Sequence, residues 1–246
     1  MGQRGKARAR PAASTSVDAD AEAVRDALQG CAVLRCLERR ALDELARSSE
    51  RIRLRRRQAL YGTGTPADAV YVVARGRVRL VRPRGEDGHL TLGYRGPGDL
   101  VGEGALAGGG VHSDAAIAAE PLEALRLPFK QVRRFAEEQV EFCAELLRLV
   151  AAQLGAIERR LAAVAGRSVE ARIAAFLAEQ GRLCGVPHAR GVAIGPKFTH
   201  QEIADYVAST RETVTLTLGE LRRKGVVAFE GRRLLLLDRA ALERLE

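Results

Sequence analysis

The chain has 246 residues, of which 46% are hydrophobic and 29% charged, a composition typical of globular proteins and unlike that of fibrous or disordered ones. No uncharged apolar run approaches the ~18 residues that a membrane-spanning helix needs, and no apolar signal segment follows the basic N-terminus, so we expect a cytoplasmic protein without a membrane partner. The net charge of +9 favours a polyanionic partner, although charge alone does not distinguish DNA from RNA or from an acidic membrane.

The cysteines argue against a metal centre. Only four are present, Cys31, Cys36, Cys143 and Cys184, and none of them forms the C-x2-C pair that chelates zinc. Four cysteines are also too few for a disulfide scaffold in a chain of this length. We therefore predict no structural metal and no cofactor.

The N-terminal segment is basic and poor in apolar residues. Its first 17 residues carry four basic side chains and no acidic one. Because so few large apolar side chains cannot offset the entropy of ordering, we predict a disordered basic tail over residues 1–20. From residue 21 to residue 48, apolar residues at helical spacing predict two short amphipathic helices separated near Gly30.

Short runs of β-branched residues follow. Ala69–Gly76 and Arg77–Arg82 predict strands, Pro83–Gly88 predicts a turn, and residues 90–94 alternate between apolar and polar side chains. Strands this short, separated by turns every eight to twelve residues or so, are typical of an antiparallel roll rather than a doubly wound sheet. We therefore predict a roll domain over residues 21–137 and an α+β fold class for the whole chain.

A long amphipathic helix is predicted over residues 138–165. Its apolar residues recur with the 3-4-3-4-3 spacing of a coiled-coil a/d seam, which is narrower than the face that a helix buries in its own domain. The seam residues are Leu147, Val150, Leu154, Ile157, Leu161 and Val164. This spacing favours self-association through the helix, with packing against the chain's own roll as the alternative.

Two helix starts about ten residues apart mark a C-terminal domain, predicted over residues 166–246. Thr199-x-x-Glu202 and Ser209-x-x-Glu212 both match the capping box, in which a hydroxyl and a carboxylate satisfy free backbone N–H groups. Two short helices that follow each other this closely predict a helix-turn-helix.

Other signals surround this motif. Before the motif, Ser168 is predicted to be the N-cap of the helix that follows it. After the motif, residues 226–237 predict a β-hairpin that would form a wing. Ala208 lies in the predicted turn, where glycine is common, so a positive φ there would cost about 1 kcal/mol.

The second helix of the motif presents a face suited to the major groove. With Val214, Leu218 and Leu221 turned inward, the outward side chains can hydrogen-bond to guanine and cytosine and contact a thymine methyl group. The predicted DNA-contacting residues are Thr199, Gln201, Thr210, Arg211, Glu212, Thr215, Leu216, Arg222, Arg223 and Lys224. Each of them alone is explained as a helix cap or a solvated helix end. Together on one element they indicate double-stranded DNA as the partner.

Two stretches of the helix-turn-helix have a recognisable sequence, Thr-x-Gln-Glu-Ile-Ala from Thr199 and Thr-Arg-Glu-Thr-Val from Thr210. They are C-terminal to a predicted roll that contains Gly98-Asp99 and Gly102-Glu103. Over residues 25–240 the chain resembles the CRP/FNR family of bacterial transcription regulators. The resemblance implies an N-terminal β-roll sensor like a cyclic-nucleotide-binding domain, a long dimerisation helix and a C-terminal winged helix-turn-helix. It also implies a homodimer that reads a pseudo-palindromic site, with RNA polymerase as a further partner.

The resemblance assigns roles to particular side chains. It implies base reading by Arg211 and Glu212 and phosphate contacts by Thr199 and Gln201. The sequence departs from the family pattern at Leu216, where many members carry a further base-reading arginine.

The sensor departs from the cyclic-AMP-binding members of the family. Its candidate effector residues are Gly102, Glu103, His112, Ser113 and Glu158. A His-Ser pair replaces the Arg-Ser pair that holds phosphate, and residues 96–125 contain no lysine or arginine that could neutralise a buried phosphodiester. Glu158 falls where a polar contact to adenine is expected, and it would repel an anion. We therefore expect no need for cyclic AMP, and we expect His112 to be an exposed loop histidine.

Other functions are less favoured. Cys31 and Cys36 are too few for an FNR-type iron–sulfur cluster, and the histidines match no haem motif, so the small-molecule effector stays unidentified. A ligand-sensing module whose helix-turn-helix serves protein contacts is the alternative to a DNA-binding regulator. An enzyme is not expected, since no nucleophile elbow, P-loop or metalloprotease motif is present.

Overall fold

The computed structural model describes residues 17–84, 88–108, 110–195, 197–231 and 233–245. Residues 1–16 of the disordered tail predicted over residues 1–20 lie outside the described residues. The prediction is wrong for residues 17–20, which form the first turn of a helix. The helices are α1 (Val17–Gly30), α2 (Arg39–Ser48), α3 (Phe129–Glu138), α4 (Val140–Gly166), α5 (Val169–Cys184), α6 (His200–Val207), α7 (Arg211–Arg223) and α8 (Arg239–Leu245).

Twelve strands are present in the described part of the chain. They are β1 (Glu50–Leu54), β2 (Ala59–Tyr61), β3 (Ala69–Arg75), β4 (Val78–Arg84), β5 (Gly88–Arg95), β6 (Leu100–Val101), β7 (Ala115–Ala118), β8 (Leu122–Pro128), β9 (Gly185–His188), β10 (Gly191–Ile194), β11 (Val227–Glu230) and β12 (Arg233–Leu236).

The N-terminal domain is an antiparallel roll of two four-stranded sheets, ordered β1-β8-β3-β6 and β2-β7-β4-β5. Strand β3 explains how they pack. Its side chains alternate, so Val70 and Val72 face the helices while Tyr71 and Val73 face the second sheet. Because both faces of β3 are buried, the residues on both faces are apolar and the strand is a continuous apolar run in the sequence. The predicted roll is confirmed.

Glycine is required at the turn between β3 and β4. Gly76 has a φ of +83°, and a Cβ atom there would lie 2.2 Å from the carbonyl oxygen of Pro121. Only glycine accommodates both the positive φ and the close backbone contact.

The helices that flank the roll follow the predicted pattern with one difference. Helices α1 and α2 are separated near Gly30 as predicted, with a short 3-10 turn over Ala32–Leu34 between them. The long helix predicted from residue 138 begins at Val140 instead, because Gln139 adopts an extended conformation and separates α3 from α4. This break lets α4 begin against the 3-10 turn, with Phe142 and Leu146 buried in the core that the roll shares with its helices.

The C-terminal domain is a winged helix-turn-helix. Ser168 caps α5 as predicted, since its side chain accepts a hydrogen bond from the Ala171 N–H. The predicted wing is the hairpin of β11 and β12. It belongs to a four-stranded sheet ordered β11-β12-β10-β9, and the sequence analysis did not predict the second hairpin, β9 and β10. The fold class is confirmed.

Candidate DNA-binding surface and effector cavity

Helix α6 begins at the capping box predicted from the sequence. The Thr199 hydroxyl accepts a hydrogen bond from the Glu202 N–H at 3.1 Å, and the Glu202 carboxylate accepts one from the Thr199 N–H at 2.7 Å. The two side chains together satisfy backbone donors that the first turn leaves free. The start of the first helix of the motif is therefore fixed locally.

The turn between α6 and α7 differs in its cap from the prediction. Ala208 has a φ of +54°, so the left-handed conformation considered for it is present. The N-cap of α7 is Thr210 rather than Ser209, and its hydroxyl accepts a hydrogen bond from the Thr213 N–H at 3.2 Å. The capping box predicted for Ser209 and Glu212 is wrong, because the helix begins one residue later.

The side chains of helix α7 lie on one buried face and one exposed face, as predicted from the sequence. Val214, Leu218 and Leu221 are buried in the domain core. Arg211, Glu212, Thr215 and Leu216 are exposed, and the Leu216 side chain is 70% exposed. The shift of the cap places Glu212 in the second helical position, where it faces solvent. The outward face therefore holds an arginine, an acid, a hydroxyl and a large apolar side chain. None of the elements that the structure describes covers this face.

Two side-chain contacts near this face were not predicted from the sequence. His200 Nδ1 lies 2.8 Å from the Thr215 hydroxyl, which also donates to the Arg211 carbonyl. Burial, and secondarily the charge of Arg211, lower the pKa of His200 below its usual value. Lys224 Nζ lies 2.8 Å from the Glu170 carboxylate, so its charge is already paired with α5. Neither contact has a signal in the local sequence.

The remaining predicted DNA-contacting residues are exposed. Gln201 lies on the first turn of α6 and donates to Asp205 at 2.7 Å. Arg222 and Arg223 extend from the last turn of α7, and Arg223 lies 3.8 Å from Glu220. All of these side chains are thus open to solvent, at the starts of α6 and α7 and at the end of α7.

Helix α4 leaves its predicted seam uncovered in the single chain. All six seam residues are exposed, with Leu147 at 69% and Leu161 at 68%. Large apolar side chains exposed in a row along one helix mark a surface for association.

A cleft of about 1230 Å³ lies between the roll, α4 and α5. Gly102, Glu103, His112 and Ser113 line it together, as the effector prediction requires. Glu158 is exposed and does not line it. Its helical neighbours Ile157, Arg159 and Arg160 do line the cleft, whereas the Glu158 side chain is exposed to solvent.

His112 is buried rather than exposed, which corrects the sequence expectation. It is 3% exposed, and its ring stacks on Tyr61 with centroids 3.7 Å apart and planes 13° apart. The backbone N–H of His112 donates a hydrogen bond to the Thr65 carbonyl, which holds this part of the loop against the roll. Burial lowers the pKa of the imidazole despite the opposite effect of Asp114. Its Nε2 has no partner among the described residues.

Polar partners reach the cleft from other elements. The Glu103 carboxylate accepts a hydrogen bond from Gln153 of α4 at 2.7 Å, and burial raises its pKa. Arg82 of β4 donates to the Ser113 hydroxyl at 3.3 Å, and Arg95 of β5 lines the cleft. Arginines of neighbouring strands therefore lie at Ser113 and in the cleft, although residues 96–125 contain no basic residue.

The described residues contain neither a cluster of metal ligands nor a membrane-spanning helix. No three histidine, cysteine, aspartate or glutamate side chains there are grouped to hold a metal ion. None of the helices described is both long and apolar enough to cross a bilayer.

Two family profiles match the chain. The cyclic nucleotide-binding domain matches residues 51–139, and the Crp-like helix-turn-helix domain matches residues 171–245. The global nitrogen regulator of Nostoc sp. is 31% identical over 192 residues, which cover 77% of this chain and 86% of that protein. The chain belongs to the CRP/FNR family of transcription regulators.

Other members of the family agree in sequence and in fold. The CRP-like cAMP-activated global transcriptional regulator of Mycobacterium tuberculosis is 26% identical over 210 residues, 85% of this chain and 93% of that protein. The structure of FixK2 from Bradyrhizobium japonicum has a TM-score of 0.72 at 26% identity, covering 80% of this chain and 97% of that chain. These CRP/FNR relatives are transcription regulators rather than enzymes.

Proposed function

We propose that this CRP/FNR-family protein is a homodimeric, sequence-specific DNA-binding regulator that reads a pseudo-palindromic site through α7. The observation that carries the proposal is the division of α7 into a buried apolar face and an exposed polar face that begins with Arg211 and Glu212. An arginine in the first turn of such a helix can donate two hydrogen bonds to guanine, while glutamate can accept one from cytosine.

The surrounding side chains position the helix on the DNA backbone. Thr199, Gln201 and Thr210 lie at the starts of α6 and α7, where free backbone N–H groups and the helix dipole favour phosphate. Arg222 and Arg223 lie at the opposite end of α7 and supply further phosphate contacts. Lys224 contributes less than the sequence alone suggests, since it is paired with Glu170.

The dimer forms through the exposed seam of α4. The coiled-coil spacing and the exposure of six apolar side chains support two copies that pack in parallel, which would place two α7 helices on successive major grooves. The regulator acts in the cytoplasm and contacts RNA polymerase, as the family resemblance implies.

DNA binding by this protein does not require cyclic AMP. The support is His112, which stands where the family pattern places the phosphate-binding arginine, stacks on Tyr61 and has a pKa lowered by burial. Titration calorimetry with cyclic AMP should show no micromolar binding, and DNA affinity should not change with the nucleotide. A tenfold rise in DNA affinity on adding cyclic AMP would mean that Arg82 and Arg95 neutralise the phosphate after all.

Base reading is tested by comparing two arginines of α7. Arg211→Ala should lose roughly 1 to 3 kcal/mol per half-site and relax the preference at one G·C pair. Arg222→Ala should weaken all sequences about equally and lower the salt slope by roughly 1 per subunit. Selection of bound fragments from genomic DNA supplies the site, and binding to a library of half-site variants measures both effects.

The same measurement separates the alternative function. If Arg211→Ala leaves the base preferences of the library intact, α7 does not read the site and the proposal is wrong. If the wild-type protein shows no salt-sensitive DNA binding, the helix-turn-helix serves protein contacts in a ligand-sensing module.

A further inference from the structure

A turn of the roll carries three consecutive arginines beside the helix-turn-helix. It joins β1 to β2 and consists of residues 55–58, Arg-Arg-Arg-Gln. Its backbone is held at both sides, because the Arg57 N–H donates to the Ala118 carbonyl at 2.7 Å and the Gln58 N–H donates to the Arg55 carbonyl at 3.1 Å. The turn is therefore a fixed platform for its side chains.

The backbone at Arg57 is strained. Its φ is +71°, and Ala208 is the only other non-glycine residue of the described part with a positive φ. The left-handed conformation costs roughly 1 to 2 kcal/mol for a residue with a Cβ atom, and glycine adopts it freely. Since the Arg57 side chain is exposed, it does not repay this strain through packing. Strain kept at an exposed position points to a use for the side chain.

An ion pair holds the turn against the start of α6. Arg56 Nη2 lies 3.0 and 3.2 Å from the two carboxylate oxygens of Glu202, and it donates to the Lys197 carbonyl at 3.2 Å. Glu202 is the capping-box acid of α6, so the turn is attached to the first residues of the helix-turn-helix. A hollow of about 230 Å³ beside it is lined by Arg57 together with Thr199 and Gln201, two residues proposed to contact phosphate. Glu202 and Asp205 also line it, and each is paired with an arginine.

The two outer arginines of the turn are available for a ligand. Arg55 and Arg57 are both exposed, and no carboxylate pairs with either one among the residues that the structure describes. Nearby arginines differ, since Arg53 lies 2.9 Å from Glu123 and Arg79 lies 3.1 Å from Asp205. Unpaired guanidinium groups on a fixed turn suit phosphate oxygens, which they bind with two parallel hydrogen bonds.

We propose that the turn at residues 55–58 of the roll is a second DNA contact, which binds backbone phosphates that flank the half-site read by α7. The proposal rests on the proposed DNA-binding function. In helix-turn-helix proteins the first helix crosses the DNA backbone, so a basic turn attached to the start of α6 continues that backbone contact beyond the half-site. Phosphate contacts of this kind add affinity and lengthen the bound segment, and they read no bases.

The test compares two lengths of the same DNA. The probes are a duplex of about 20 base pairs that ends at the selected operator and one of about 40 base pairs that extends it on both sides, half-sites being one helical turn apart. Fluorescence anisotropy over a range of KCl concentrations gives the slope of log K against log salt. Arg55→Ala/Arg57→Ala should reduce the slope on the long duplex by about 0.9 per lost contact, or about 3.6 per dimer, and weaken binding about tenfold or more. On the short duplex the variant should match the wild type.

Two controls remove the effects of net charge and side-chain shape. Arg39→Ala/Arg40→Ala removes the same two charges from exposed positions on α2, and it should leave both duplexes unaffected. Arg55→Lys/Arg57→Lys keeps the charges, and it should restore most of the salt slope.

A single substitution separates binding from folding. Arg57→Gly removes one charge and relieves the positive φ, so it should raise the melting temperature by a few degrees and still weaken binding to the long duplex. If it raises the melting temperature and binding to the long duplex is unchanged, Arg57 is not a DNA contact.

The outcomes distinguish this proposal from the proposed function. If the wild type binds the operator and Arg211 reads bases, but Arg55→Ala/Arg57→Ala binds the long duplex with the wild-type salt slope, the turn does not contact DNA and only this inference is overturned. If the wild type binds neither duplex in a salt-dependent way, the proposed function itself is wrong.

Discussion

His112 and Glu103 line the same cleft, yet burial moves their pKa values in opposite directions. Burial disfavours the charged form of each group, so it lowers the pKa of the imidazole and raises that of the carboxyl group. The residue type suggested an exposed, titrating histidine at position 112. Its stacking on Tyr61 makes it a neutral wall of the cleft instead.

This has a measurable consequence for stability against pH. Because its pKa is lowered in the fold, His112 contributes stability that is fully present above its unfolded value near 6.5 and is lost as pH falls through the folded pKa. His112→Phe keeps a ring on Tyr61 and does not titrate. Between pH 7.5 and pH 5, urea denaturation should show a smaller loss in the free energy of unfolding for the variant, with slopes differing by at most about 1.4 kcal/mol per pH unit. Equal losses would show that folding does not shift the pKa of His112.

At the scale of elements, α4 serves two surfaces at once. Gln153 and Ala156 face the cleft, while Leu154 and Leu161 belong to the exposed seam. These four positions are separated by roughly a quarter of the helix circumference or more, and the seam residues Ile157 and Val164 also line the cleft. Any movement of the helix on binding an effector would therefore also displace the seam residues.

The seam prediction concerns the oligomeric state. Leu154→Lys/Leu161→Lys would bury like charges along a dimer seam, each costing several kcal/mol, and should give a monomer in analytical ultracentrifugation. Leu154→Met/Leu161→Met keeps the apolar volume and should leave the dimer intact. A lysine variant that still sediments as a dimer would show that the chains associate elsewhere.

At the scale of the whole molecule, Arg160 of α4 joins both domains. Its guanidinium donates to the carbonyls of Leu92 and Thr91 in β5 at 2.5 and 2.7 Å, and to the carbonyl of Tyr206 in α6 at 2.7 Å. It also lies 3.9 Å from the centroid of the Tyr206 ring. Arg79 and Asp205 form a largely buried ion pair 3.1 Å apart across the same interface. The long helix, the roll and the helix-turn-helix thus meet at one side chain.

Removing this side chain should uncouple the domains. Arg160→Ala leaves three carbonyl groups without their donor, so we expect a loss of roughly 3 kcal/mol from the domain interface. Differential scanning calorimetry should then resolve two transitions where the wild type shows one. Arg159→Ala is the control, since the neighbouring arginine is exposed. A single, unshifted transition in Arg160→Ala would contradict the role given to this interface.

The sequence by itself determined the elements that depend on neighbouring residues. Helix starts such as Thr199 and Ser168 are local, because a cap involves groups within three or four positions. The seam of α4 and the buried face of α7 follow from helical periodicity in the same way. These signals, with the motif resemblance, were sufficient for the fold class and for the division of α7 into a buried and an exposed face.

Only the tertiary structure decided the features that join distant parts of the chain. Arg82 reaches Ser113 across 31 residues, and Arg160 reaches Tyr206 across 46. The burial of His112 and the placement of residues 55–58 beside α6 depend on such contacts as well. No local pattern encodes them, because strand pairing and domain packing bring these groups together, and burial then sets their charge and their partners.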